Sequence, residues 1–104
     1  MSIERMSELA EQLLLQTRAN KLVWENGSKS NEYRIFFPDG SITIYGSGSY
    51  FLIRLHDESA RGIDTLSTDD SEIVDTRLEE IFLLAEEQLK NRGIDKALEY
   101  LRNR

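Results

Sequence analysis

The only histidine in the chain is His56, and Asp57 and Glu58 follow it directly. An imidazole beside two carboxylates has the parts for general acid–base work or for gripping a metal ion. A small enzyme or ligand-binding domain would therefore place its site around His56, Asp57 and Arg61. Geometry argues against that reading. Consecutive residues of a strand point to opposite faces, so His56 and Asp57 diverge unless the strand has ended. No second histidine completes a metal set.

Other chemical signatures fall short. No serine sits in a Gly-x-Ser-x-Gly elbow. Gly46-Ser47-Gly48-Ser49 lacks the lysine of a phosphate loop and the third glycine of a dinucleotide fingerprint, and it leads into a strand rather than a helix. Asp57 to Gly62 lacks the carboxylate spacing of a calcium loop. Asp69-Asp70-Ser71-Glu72 could attract calcium, but a helix start accounts for it. Cysteine is absent, which excludes a thiol nucleophile, a thiolate zinc site and a disulfide framework. Catalytic, metal and cofactor residues are accordingly all expected to be none.

The elements that would carry these residues follow from periodicity. Ile3, Met6, Leu9, Ala10, Leu13, Leu14 and Thr17 mark one stripe of a helix from Ile3 to about Ala19, with Ser2 as its cap. Four or five strands come next: Lys21–Glu25, Glu32–Phe37, Ser41–Tyr45, Tyr50–His56 and a short Ile63–Leu66. Pro38-Asp39-Gly40 should turn the second into the third, with Gly40 supplying positive φ. Asp69 and Glu72 have capping-box spacing. Val74, Leu78, Ile81, Phe82, Ala85 and Leu89 form the stripe of a second helix. Gly93 should end it, leaving a short last helix, Ile94–Leu101, with Ala97, Leu98 and Leu101 inward.

This order predicts a single α+β domain over residues 1–104. It is an antiparallel meander of four or five strands, with the N-terminal helix and the C-terminal helices on one face. The helix-facing side of the sheet should hold Leu22, Trp24, Tyr33, Ile35, Phe37, Ile42, Ile44, Phe51, Ile53 and Leu55. The opposite register gives Val23, Arg34, Phe36, Thr43, Tyr45, Tyr50, Leu52 and Arg54. Aromatics mixed with arginine have the composition of an interface. Phe36, Tyr45, Tyr50 and Leu52 beside Arg34 and Arg54 thus suggest a protein contact, with a symmetric homodimer as the first form to consider.

Charge points to a second surface. The net charge is −6, and residues 69–92 hold eight acids against three bases. Such a face repels phosphate, so nucleic acid is not an expected partner. Glu79 and Glu86, with Glu80 and Glu87, could instead steer a basic protein, or could simply be a solvated helix face. Unbroken apolar runs such as Leu13-Leu14-Leu15 are far too short to span a membrane. With no signal-peptide pattern near Met1, a cytoplasmic location is expected.

Trp24, the aromatic strand into Phe37-Pro38-Asp39-Gly40, Ser41-Ile42-Thr43-Ile44, Leu55-His56-Asp57-Glu58, Gly62 and Ile63-Asp64-Thr65-Leu66 precede a leucine-rich helix. From Trp24 to Leu89 this resembles a family of small bacterial α+β proteins. The resemblance implies architecture and no activity. The expected function is a non-catalytic protein-interaction or regulatory module.

Overall fold

The computed structural model describes residues 3–70 and 75–104. The expected cap Ser2, Ser71 and Glu72 of the acidic tetrad, and the stripe residue Val74 lie outside the described residues. Helix α1 runs Ile3–Arg18 and buries Met6, Ala10, Leu13, Leu14 and Thr17, the three-and-four stripe of an amphipathic helix. Five strands follow: β1 Glu25–Asn26, β2 Glu32–Phe37, β3 Gly40–Ser47, β4 Tyr50–Asp57 and β5 Gly62–Ser67. Helix α2 runs Asp75–Arg102. The sheet is an antiparallel meander in the order β1-β2-β3-β4-β5. The architecture is α+β, with both helices against one face of the sheet.

One core joins these layers. Trp24, Ile44, Ile53, Leu66, Leu78 and Ile81 are its large, fully buried side chains. Phe82 of α2 lies against Tyr33 and Phe51, with ring centroids 5.3 and 5.6 Å away at tilted angles, an arrangement aromatic quadrupoles favour. Trp24 is wholly buried, and its indole N–H donates to Thr17 Oγ1 at 3.1 Å. Arg77 reaches from α2 to Ser7 Oγ (3.1 Å) and Glu11 Oε1 (3.0 Å) on α1. Arg18 makes two 2.7 Å bonds to the Glu80 carboxylate.

The first strand is shorter than the sequence suggests. Only Glu25 and Asn26 pair with β2. The backbone just before them is held by α2 instead. Gln88 accepts from the Trp24 N–H (3.0 Å) and donates to the Leu22 carbonyl (2.9 Å), and Arg92 donates to the Trp24 carbonyl. Side chains of α2 thus satisfy groups that a sheet neighbour would otherwise meet. Of the expected inner face, Phe37 is 40% exposed, because it sits at the hairpin tip with its ring over Gly40. Leu22 and Leu55 are half-buried at the edge of the core.

Two glycines work differently from expectation. Gly40 does not take positive φ. It is needed because a Cβ there would lie 2.2 Å from the His56 carbonyl oxygen of β4. The positive φ belongs to Gly48, at 61°, in the tight β3–β4 turn. Gly93 does not end the helix either, since α2 passes straight through it to Arg102. An interior glycine costs only about 1 kcal/mol relative to alanine, and good helix formers stand on both sides within two turns, Leu89 and Lys90 before it and Lys96 to Leu98 after it. Leu98 and Leu101 are therefore exposed on a projecting helix rather than turned inward.

Candidate functional site

The helices cover one face of the sheet and leave the other open. Alternation puts Arg34, Thr43 and Arg54 side by side on the open face, since their strand neighbours Tyr33, Ile35, Ile44 and Ile53 are core. In register, Arg34 faces Thr43, and Thr43 faces Arg54. Adjacent strands are about 4.8 Å apart, so two guanidinium stems flank one threonine. His56 lies on the same face opposite Ser41, and its Nε2 is 3.3 Å from Thr43 Oγ1. Thr43 is only 6% exposed. It forms the floor of a hollow of about 210 Å³ whose walls include Lys29, Arg34, Arg54 and His56.

The charges around this hollow are unbalanced. Glu32, the carboxylate among the residues lining it, is already engaged: its Oε1 accepts from the Ser28 N–H (2.8 Å) and Ser28 Oγ (2.9 Å). Burial alone would push the Glu32 carboxyl up, but the Ser28 bonds and the nearby Lys29 charge outweigh it and hold the group below its ordinary range. Arg34 and Arg54 meet no carboxylate within 4.0 Å among the described residues. The Arg34 Nε is buried without a hydrogen-bond partner, while its guanidinium carbon sits 5.2 Å from the Phe36 ring centre. Lys29 stands 5.6 Å over the Tyr45 ring. Such contacts attract cations to aromatic faces without neutralising them.

The sequence-predicted residues divide into groups. Arg34, Arg54, Phe36, Tyr45, Tyr50 and Leu52 do share the open face. Phe36 is 69% exposed, whereas Tyr45, Tyr50 and Leu52 are half-buried among their neighbours. His56, Asp57 and Arg61 are not assembled into one site. The Asp57 Oδ1 accepts from the backbone N–H groups of Ser59 and Arg61, both at 2.9 Å, and its other oxygen is 3.6 Å from Arg61 Nε. Those two residues build the β4–β5 turn, while His56 looks into the hollow. Among the described residues, no cluster of three or more histidine and carboxylate side chains could hold a metal ion.

The acidic residues of α2 differ in what they meet. Glu80 is bonded to Arg18. Glu86 and Glu79 flank a separate hollow beside Phe82, and Glu87 is exposed. Sequence reasoning passed over Lys29, which lies in the β1–β2 loop where no periodicity indicates direction. It also left His56 out of the open-face register, although that residue is two positions beyond Arg54. No helix among the described residues is long and apolar enough to cross a membrane. No protein-family model, no curated protein and no solved structure matches the chain.

Proposed function

We propose that the chain is a non-catalytic binding module whose open sheet face docks an acidic segment of a partner protein. One observation supports this above the others. Arg5, Arg18, Arg61, Arg77 and Arg92 each have a carboxylate within 4.0 Å, whereas Arg34 and Arg54 on the open face, like Arg102 and Arg104 on the exposed end of α2, have none among the described residues. In a chain of net charge −6 this leaves a local positive surface, in reach of Phe36 and Tyr45. Arginine and aromatic side chains together are the usual anchors of protein interfaces. A homodimer formed through this face would set Arg34 and Arg54 against their own copies, so the charge favours an acidic partner over a second copy.

A hexaglutamate peptide is a suitable probe. Titrated into the isotopically labelled protein, it should shift the amide signals of Thr43, Arg54 and His56 first. The shifts should weaken as salt rises past about 0.15 M, where the screening length is roughly 8 Å. Arg34→Glu with Arg54→Glu should abolish them while the core signals stay in place. Shifts that map to α2, or that persist in the double variant, would remove the open face as the docking surface.

A further inference from the structure

We infer that the C-terminal turns of α2 pair with the same turns of a second copy of the chain, antiparallel and centred on Leu98. Helix α2 has 28 residues, about 42 Å at 1.5 Å per residue. Its last link to the body is Arg92, bonded to the Trp24 carbonyl. From Gly93 to Arg104 every residue is exposed, and the molecule is drawn out to 55 Å against 29 and 25 Å in the other directions. Short helices without tertiary contacts are marginal in water. A projecting helix of this kind gains most from a partner.

Its apolar residues are placed for one. Ile94, Leu98 and Leu101 are 51%, 40% and 60% exposed and follow the four-then-three spacing of a coiled-coil seam. They do not continue the stripe that packs on the sheet. At about 100° per residue, they project roughly opposite to Leu78, Ile81 and Ala85. Exposed Leu83 begins the same outer side. The body of this copy therefore cannot reach round to cover them.

Charge selects the occupant and its direction. Asp95 and Arg102 lie on the same flank of the seam, seven residues apart. In an antiparallel pair centred on Leu98, Asp95 of one copy meets Arg102 of the other, and symmetry repeats the contact. Ile94 meets Leu101 in the same way. The opposite flank carries Ala97 near the middle, with Lys90 and Arg104 meeting only at the outer ends. A parallel pair would set Glu87 against Glu87 on the outer side and bring two acidic bodies together.

The seam is short, so the association is concentration-dependent, with a dissociation constant on the order of 0.1–1 mM. Sedimentation equilibrium across that range should show a monomer–dimer transition. Leu98→Glu should give a monomer at every concentration, with the circular dichroism of the body unchanged. The chain has no cysteine, so direction is read by cross-linking. An oxidised mixture of Asp95→Cys and Arg102→Cys chains should form a mixed disulfide dimer faster than either variant alone. A monomer at millimolar concentration would overturn the inference. So would a Leu98→Glu chain that still dimerises. Preferential cross-linking of a Lys90→Cys with Asp95→Cys mixture, the parallel register, would overturn it as well.

Discussion

Where the helices pack on the body, arginines find acceptors. Arg18 meets Glu80, Arg77 meets Glu11 and Ser7, and Arg92 meets the Trp24 carbonyl and stands 4.0 Å from Glu25. Across the sheet, Arg34 and Arg54 flank Thr43 and meet no carboxylate among the described residues. The same residue type thus does two jobs. On the helix side it ties α2 to α1 and to the segment before β1, and its loss is felt in the fold. On the open face it makes no ion pair among the described residues, and that leaves its charge available to something else. Unpaired polar groups held close to a surface carry a desolvation cost that a matching partner can offset.

The widest separation between the two sides should appear in Trp24 and Phe36. Both are large aromatics on neighbouring segments, yet one is fully buried and the other 69% exposed. Trp24→Ala should lower the stability to unfolding by roughly 3–5 kcal/mol, from lost burial and the cavity left behind. It also leaves the Thr17 hydroxyl without the indole donor. Phe36→Ala should change stability by no more than about 0.5 kcal/mol. Urea midpoints followed by circular dichroism compare the two directly. Equal shifts would mean that the open face is covered and would end the contrast.

Much of this contrast was readable from residue order. Period-two alternation in Tyr33-Arg34-Ile35 and Ile42-Thr43-Ile44 assigns both faces of the central strands, because one face must be apolar to meet the helices. The stripe of α1 is equally plain. What could not be read depends on contacts distant in sequence. Leu22 to Trp24 has the composition of a strand, yet its backbone is met by Gln88 and Arg92, more than sixty residues later. Gly93 carries the signal of a helix end, and only the helical residues on either side of it override that signal. At the site, register brings Arg34 and Arg54 beside Thr43, which alternation shows. The position of Lys29 over Tyr45 depends on how a loop folds back, and no pattern encodes that.

Acid should weaken the helix side. Hydrogen bonds from Arg18 hold the Glu80 carboxyl below its ordinary value of 4.5, against a smaller opposing effect of burial and aided by the Arg18 charge. A carboxyl whose folded pKa is lowered stabilises the fold above its unfolded value. That contribution disappears as pH falls from about 4.5 through the lowered folded value. Thermal midpoints measured from neutral pH down to about pH 3 should therefore decline, and Glu80→Gln should decline less steeply over the same window. Identical slopes would show that the Arg18–Glu80 pair is too solvated to matter, as many exposed pairs are.

The smallest effect is expected where the proposed function sits. Arg54 has an exposed side chain and no carboxylate within 4.0 Å among the described residues, and it shares Thr43 with Arg34. Replacing it by glutamine removes no ion pair and lowers the repulsion between two like charges across the sheet. Arg54→Gln should therefore leave stability within about 0.5 kcal/mol of the parent chain. Any change should be a gain, and the gain should shrink as salt screens the repulsion. Binding of the hexaglutamate probe should fall in the same variant, so one substitution separates fold from function. A clear loss of stability would mean that Arg54 is engaged by the fold as Arg77 is. The open face would then lose its claim to free charge, and the two sides of the sheet would no longer differ in kind.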